Sequence, residues 1–182
     1  MNFSNQADTI LLLSLQEAHR TGHRTVLPGH ILLAVLRLEG NAALQTLKLL
    51  GADVKRLKKR LDEGLMRDAL PFDEEISVGK EAYYLLERAE FISAGRASDC
   101  IDSCDLLLAL SLSEDISQDA ARLLREEGAD FGKIKENLDD NPGIRGPEYA
   151  DPGRESGQLE LMLNSLARRL ASSGPDKKTP AS

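Results

Sequence analysis

Two stretches of the chain carry nearly the same pattern. Residues 43–61 read A-L-Q-T-L-K-L-L-G-A-D-V-K-R-L-K-K-R-L, and residues 120–138 read A-A-R-L-L-R-E-E-G-A-D-F-G-K-I-K-E-N-L. A second matching pair lies upstream of each stretch, I-L-L-A-V at residues 31–35 and L-L-L-A-L at residues 106–110. Self-similarity at a fixed spacing is the mark of a duplicated structural unit. The chain is therefore expected to fold as two copies of one unit.

The spacing of the apolar residues predicts four helices in each unit. In the first unit, Ser4 and Asp53 are suited to cap the first and fourth helices, and Gly51 is suited to end the third. Apolar residues between these positions recur at three- and four-residue steps. The second unit repeats the order at about residues 77–93, 105–111, 119–127 and 130–138. Since no segment alternates apolar and polar residues, no strand is predicted, and the expected fold class is all-α, with two pseudo-symmetric four-helix repeats.

Charge and hydropathy disfavour two classes of partner. The net charge of −7 argues against nucleic acid as the main partner. No apolar run approaches the roughly 18 residues that a membrane helix needs, so no membrane contact is expected. The first residues are polar, unlike a secretory signal, and a cytoplasmic location is expected. The basic stretch at residues 55–60 is a local exception, either a functional patch or a solvated helix face.

The residues that could carry chemistry form no recognisable site. Cys100 and Cys104 are four apart with no histidine nearby, so neither a zinc site nor a disulfide is expected. His23 and His30 have no evident nucleophile or carboxylate partner, and His30 is expected to order a loop at a helix start. The phosphate-binding pattern G-x-x-x-x-G-K-[ST] is absent from the sequence. We therefore predict no catalytic residue, no metal site and no cofactor.

The order of several short motifs resembles the N-terminal domain of the Clp ATPases, which is built from two Clp repeats. Residues 3–7 (F-S-N-Q-A) are similar to the family's opening F-T-x-x-A, and residues 30–34 (H-I-L-L-A) to its H-I-L-L-G segment. Further matches at the family spacing are E-A at 17–18, G-H at 22–23, L-G at 50–51 and L-P-F at 70–72. The resemblance covers about residues 3–138 and implies the same fold.

The chain departs from the family pattern before the helix that carries the H-I-L-L segment. The family's Gly-Thr-Glu is L-P-G at residues 27–29 here. In the second repeat the corresponding residues 102–104 are D-S-C, and Asp105 replaces the histidine. In some relatives the glutamates of this motif help to bind phosphoarginine. Because neither glutamate is present, that activity is not expected here.

The resemblance implies a non-catalytic recruiting module. In the Clp ATPases this domain docks adaptors or substrates and passes them to the hexameric ring, which unfolds them, often into the ClpP protease. The implied partners are therefore a Clp ATPase, ClpP, adaptors or substrate polypeptides. Three interpretations stay open: an accessory or regulatory factor of the Clp system, an excised N-domain of a larger Clp ATPase, and a helical-repeat interaction domain unrelated to Clp proteolysis.

Three segments are expected along the chain: repeat 1 at residues 1–68, a linker with repeat 2 at 69–138, and a tail at 139–182. The tail begins with a linker rich in Asp, Pro and Gly, and continues with a short amphipathic helix at 158–171. Its apolar face carries Leu159, Met162, Leu163 and Leu166. This helix either docks on a partner in a helix-in-groove mode, packs on its own domain, or begins the segment that leads into an ATPase module.

Four aromatic residues are further candidates for contact with a peptide or a partner. They lie at helix starts or near the junction between the repeats: Phe3, Phe72, Tyr83 and Tyr84. Each fits either the core or an apolar groove with a polar rim.

Overall fold

The computed structural model describes residues 1–71, 73–146 and 157–172. The α-helices in these residues are α1 (Asn5–Arg20), α2 (Pro28–Arg37), α3 (Ala42–Leu49), α4 (Val54–Leu65), α5 (Lys80–Gly95), α6 (Ser103–Ser111), α7 (Gln118–Glu126), α8 (Phe131–Asp140) and α9 (Gly157–Ser172). Two short strands, β1 (Thr25–Val26) and β2 (Ser77–Val78), accompany them, and 3-10 turns lie at Ser113–Asp115 and Pro142–Arg145. The predicted all-α class is confirmed, with α1–α4 and α5–α8 as the two four-helix units.

The repeated Gly-Ala-Asp element ends one helix and begins the next. Gly51 follows α3 with a φ of 77°, which a side chain would disfavour. The N–H of Ala52 then reaches back to the carbonyl of Leu47 at 3.1 Å, as in the Schellman motif. Asp53 accepts a hydrogen bond from the first turn of α4. Residues 128–130 make the same turn between α7 and α8, so the sequence repeat is a repeat of one helix junction.

The centre of the fold is formed by the second helix of each repeat. The side chains of residues 31–36 in α2 and 106–110 in α6 are all buried. A helix that is apolar on every side must be surrounded by other helices. The helices α2 and α6 contact each other, and one continuous hydrophobic cluster includes side chains from both repeats.

The two repeats contact each other reciprocally. Helix α3 packs on α8, and its counterpart α7 packs on α4. In the same way α1 contacts α6, and α5 contacts α2. Each repeat thus covers apolar surface that the other leaves open. The pseudo-symmetry seen in the sequence is a pseudo-two-fold relation in the structure.

Backbone pairing between the repeats follows the same relation. β1 pairs with β2 in parallel, with Thr25 opposite Ser77 and Val26 opposite Val78. The segment before α1 forms the equivalent contact, a parallel bridge between Phe3 and the loop that follows α5. The prediction of no strands was wrong, because two residues are too few to show an alternating pattern. Because residues 77–78 form β2 and Gly79 is the N-cap, α5 begins at Lys80 and not near residue 77 as predicted.

Part of the basic face of α4 forms ion pairs with the second repeat. Arg56 donates to Glu127 at 2.7 Å, and Arg60 pairs with Glu126. The side chain of Glu127 is only 3% exposed and also accepts the backbone N–H of Asp53 at 3.2 Å. The hydrogen bond from Arg56 lowers the pKa of Glu127. These contacts make a structural role for Arg56 and Arg60 the simplest account of them.

His30 holds the start of α2 and is buried completely. Its Nδ1 accepts the backbone N–H of Leu27 at 2.9 Å, and its Nε2 donates to the hydroxyl of Thr21 at 2.8 Å. The Thr21 hydroxyl in turn donates to the carbonyl of Glu17 at 2.8 Å. Burial lowers the pKa of His30 to about 3, with a smaller effect from the neighbouring His23, so the ring is neutral at neutral pH. The ordering role predicted for His30 agrees with these contacts.

Asp105 replaces His30 in the second repeat and performs the same capping with a charged group. Its Oδ2 accepts the backbone N–H of Asp102 at 3.0 Å, and Asp102 accepts the N–H of Asp105 at 2.8 Å. Both carboxylates are buried and are paired with the guanidinium groups of Arg96 and Arg145. Buried charge requires such pairing. Since Arg145 follows α8, ordered contacts continue into the segment predicted as a linker.

Gly79 is the closest point of backbone approach at the junction of β2 and α5. A Cβ placed there would lie 2.6 Å from the carbonyl oxygen of Val26. We predict that Gly79→Ala lowers the free energy of unfolding by about 1–3 kcal/mol, since the strand pair must move apart. The matched control is Gly64→Ala in α4, where the Cβ would meet no atom within 4 Å. Helix propensity should make that variant more stable by up to about 1 kcal/mol. Urea unfolding measures both, and a Gly79→Ala chain as stable as the wild type would contradict this account.

The buried ring of His30 predicts a loss of stability in mild acid. The unfolded chain takes up a proton at this residue below about pH 6.5, whereas the folded chain does not do so until about pH 3. The free energy of unfolding therefore decreases as the pH is lowered through this window, by up to about 1.4 kcal/mol per pH unit. His30→Gln keeps an acceptor for the cap and removes the titrating group. Between pH 7 and pH 5, its free energy of unfolding in urea should decrease by about 2 kcal/mol less than that of the wild type.

The control for this measurement is His19→Gln, which leaves the buried ring in place and should keep the wild-type decrease. If His30→Gln and the wild type lost the same free energy between the two pH values, the neutral buried state of His30 would be refuted.

Candidate functional site

The outer face of α5 presents an aromatic pair to solvent. Tyr84 is 40% exposed and Phe91 is 81% exposed. The two residues are seven positions apart, so they lie on the same side of the helix, two turns from each other. Leu112 and Ile116, in the connection between α6 and α7, add partly exposed apolar surface, and Ile116 lies beside this pair. Single exposed apolar residues are common, but a contiguous group marks an interaction site.

A cleft of about 510 Å³ lies at this face. We name it the α5 cleft, and the residues that line it are Tyr84, Glu87, Arg88, Phe91, Asp115 and Ile116. Its volume is in the range of sites that hold a small molecule or a few side chains of a peptide. The combination of apolar walls and charged groups is typical of a protein-binding surface with a polar rim.

Two of the charged residues that line the α5 cleft, Arg88 and Asp115, are paired with each other. Arg88 donates to both carboxylate oxygens of Asp115, at 3.0 and 2.9 Å, and to the carbonyl of Leu112 at 2.6 Å. The hydrogen bond from Arg88 lowers the pKa of Asp115. This two-point contact links α5 to the turn before α7.

The predicted aromatic residues occupy different positions in the structure. Tyr84 lines the α5 cleft. Tyr83 and Phe3 are partly buried and pack against the core, and the Tyr83 ring stands edge-on to Tyr84 at 6.2 Å. Phe72 lies outside the described residues. A role of these four residues in binding stays a prediction, and of the three that the structure describes, Tyr84 alone lines the cleft.

Phe91 was not singled out from the sequence, although a signal for it exists. The buried positions of α5 are Ala82, Leu85, Leu86, Ala89 and Ser93. Phe91 lies off that stripe, on the side of the helix that also carries Glu87 and Arg88. An aromatic residue on the polar side of an amphipathic helix is the pattern that would have identified it.

The predicted amphipathic helix of the tail is present as α9, within one residue of its expected bounds at each end. It packs against α5 and β2. Leu163 and Leu166 are 6% and 8% exposed, Met162 is partly buried, and Leu161 on the opposite side is 71% exposed. The side chain of Leu159 lies outside the description. Partner binding by these residues stays a prediction, and for Leu163 and Leu166 it would require α9 to leave its own domain.

Reactive residues form no second site in the described part of the chain. Cys100 and Cys104 are both buried and unbridged. His23 donates its Nε2 hydrogen to the carbonyl of Leu65 at 2.7 Å, and its ring packs against His30. Among the described residues, no three histidine, cysteine or acidic side chains are grouped so that they could hold a metal ion. The same residues include no helix with the length and hydropathy needed to span a bilayer.

Comparison with known proteins places this geometry in one family. The family model of the Clp repeat (R) N-terminal domain matches residues 2–127. The chaperone protein ClpB of Oceanobacillus iheyensis is 25% identical over 179 residues, which are 97% of this chain and 22% of ClpB. The chain thus spans about a fifth of that relative's length. The matched segment is the N-terminal domain and not the ATPase module.

Solved structures share the fold. The Hsp104 N-terminal domain from Candida albicans superposes with a TM-score of 0.65 at 20% identity, covering 83% of this chain and 96% of that one. The ClpV N-domain in complex with a VipB peptide gives a TM-score of 0.64 at 18% identity, covering 82% and 91%. These structures show the shared fold, and the family match over most of the sequence shows that the chain belongs to the Clp repeat N-terminal domain family.

Proposed function

We propose that this chain is a non-catalytic protein-binding module of the Clp chaperone–protease system, and that it recruits adaptor or substrate polypeptides, or regulates a Clp ATPase, through the α5 cleft. The solved complex of the ClpV N-domain with a VipB peptide supports binding of polypeptides by this fold. The family matched here is that of the N-terminal domain, which supports a role without catalysis. A cytoplasmic location fits this role.

The observation that carries the proposal is the exposure of Phe91 beside a cleft. A phenylalanine that is 81% exposed keeps most of its apolar surface in water. Covering such a side chain contributes about 1.5–3 kcal/mol to binding. Aromatic residues and arginine are also the residue types that most often dominate the energy of protein interfaces. Phe91, Tyr84 and Arg88 therefore form the group on which we expect a partner to dock.

The alternatives differ in where the partner resides and not in how it is bound. As part of a longer ATPase, the module would present the α5 cleft next to its own ring. As a separate accessory factor, it would bring a bound polypeptide to a Clp ATPase or to ClpP. As a helical-repeat domain outside Clp proteolysis, it would use the same surface for other polypeptides. The partner recovered at the cleft distinguishes these cases.

Site-specific photo-crosslinking tests the proposal in the full-length chain. Phe91 is replaced by benzoylphenylalanine, which preserves an exposed aromatic ring, and crosslinked products are identified by mass spectrometry after irradiation of the producing cells. The control carries the same group at Leu49 on α3, which is 56% exposed. We expect adducts with a Clp ATPase, ClpP or a Clp adaptor from position 91 and not from position 49. Equal products from both positions would refute the cleft, and adducts without any Clp component would refute the Clp assignment.

The partner identified in this way allows a quantitative test. Phe91→Ala is expected to weaken its binding at least about tenfold, because a central aromatic contact is lost. Leu49→Ala is the matched control and should leave the affinity unchanged. Since Phe91 contributes little to the core, the thermal unfolding of both variants should resemble that of the wild type. An unchanged affinity of Phe91→Ala would exclude this residue from the interface.

A further inference from the structure

Helix α9 lies on a fold that is complete without it. The reciprocal contacts between the repeats involve α1–α8, and within the described residues α9 makes its main contacts with α5 and β2. Helices α1–α4 match α5–α8 one by one, which leaves α9 as a single addition to one side of a pseudo-symmetric structure. We name the surface of α5 and β2 beneath this helix the α9 groove.

The contact between α9 and the groove has the form of a helical ligand in a binding site. Leu163 and Leu166 are buried in the same hydrophobic cluster as the core, and Met162 and Leu170 are partly buried beside them. The opposite side, with Leu161, Ser165 and Arg168, is exposed, so only one side of the helix is buried. Anchors spaced by three and four residues are the pattern by which amphipathic helices bind grooves on other proteins.

We propose that α9 is an exchangeable cover, and that the groove beneath it is a second docking site, which accepts an amphipathic helix with leucines at the spacing of residues 163, 166 and 170. In the isolated chain the occupant is the chain's own α9. A helix from another polypeptide gains access only when α9 leaves. This inference goes beyond the proposed function, because none of the described residues that line the α5 cleft belongs to α9.

The first experiment measures whether the groove takes α9 as a separate ligand. A labelled peptide of residues 157–172 is titrated by fluorescence anisotropy against the full-length wild type and against the full-length variant Leu163→Glu with Leu166→Glu. The two glutamates remove the anchors, so the variant's own helix should leave the groove. We expect the peptide to bind the variant and to bind the wild type at least about tenfold more weakly, since the wild-type groove is free for only a fraction of the time.

The matched control is Leu161→Glu, which changes an exposed leucine of the same helix and should behave as the wild type. Circular dichroism first checks that each variant is folded. A folded double variant that binds no peptide would overturn the proposal, and so would equal binding to the double variant and the wild type. Dimers of the wild type that vanish in the double variant would also overturn it, because α9 would then serve a second copy of the chain.

A second measurement on the unmodified chain decides the matter if the double variant does not fold. Amide hydrogen exchange under native conditions reports the opening of α9 separately from that of α2 and α6. An exchangeable cover should release its amides at least about tenfold faster than the central helices, in a step that does not unfold them. Exchange of α9 only together with α2 and α6 would show that it is a permanent part of the core and would overturn the inference.

Discussion

The mutual burial of α2 and α6 is the constraint on which the rest of the structure depends. Each of these helices is apolar on all sides, and neither repeat contains enough helices to surround its own central helix. The other repeat supplies the missing cover through α7 on one side and α3 on the other. The hydrophobic effect therefore drives the two repeats together and not merely each repeat into itself. Neither repeat is therefore expected to bury its central helix fully until the two repeats have packed together.

Helix α5 shows how the proposed binding surface is positioned on this scaffold. One side of it, at positions such as Leu85 and Ala89, belongs to the shared core, and a second side lies under α9. The third side carries Tyr84, Arg88 and Phe91 and borders the α5 cleft. Because the first side is anchored in the core and Arg88 is tied to Asp115, the exposed side is held rigidly. Rigid presentation lowers the entropy that a partner must overcome on binding.

The two capping solutions at the starts of α2 and α6 show how a duplicated unit diverges without losing its fold. His30 supplies a neutral acceptor where the surroundings offer a hydroxyl, the one of Thr21. Asp105 supplies a charged acceptor where Arg96 and Arg145 are available to compensate it. The backbone requirement is identical, since an N–H at the helix start needs a partner. Only the surrounding residues decide which acceptor is tolerated.

Local rules were enough to predict the helices, because helix ends are determined by nearby residues. Asp53 follows Gly51 within two positions, and the turn between helices is readable from that short sequence. The strand pairs were not predictable in this way, since Val26 meets Val78 only after the repeats have docked. The candidate site was predicted in part. Tyr84 stood out as an aromatic residue near the junction, whereas the importance of Phe91 depends on what the fold leaves uncovered.

The pseudo-two-fold relation also explains why a covalent link between the two repeats matters. Each repeat offers the other the same pair of surfaces, a helix contact and a backbone pairing, as the two halves of an isologous dimer do. Two unlinked copies of such a unit would meet these needs only at a sufficient concentration. The connection between α4 and β2 replaces that bimolecular encounter by an intramolecular one, at an effective concentration that for short links is on the order of millimolar. The linked repeats are also free to differ, and among the described residues it is the helix α5 of the second repeat that borders the α5 cleft and contacts α9.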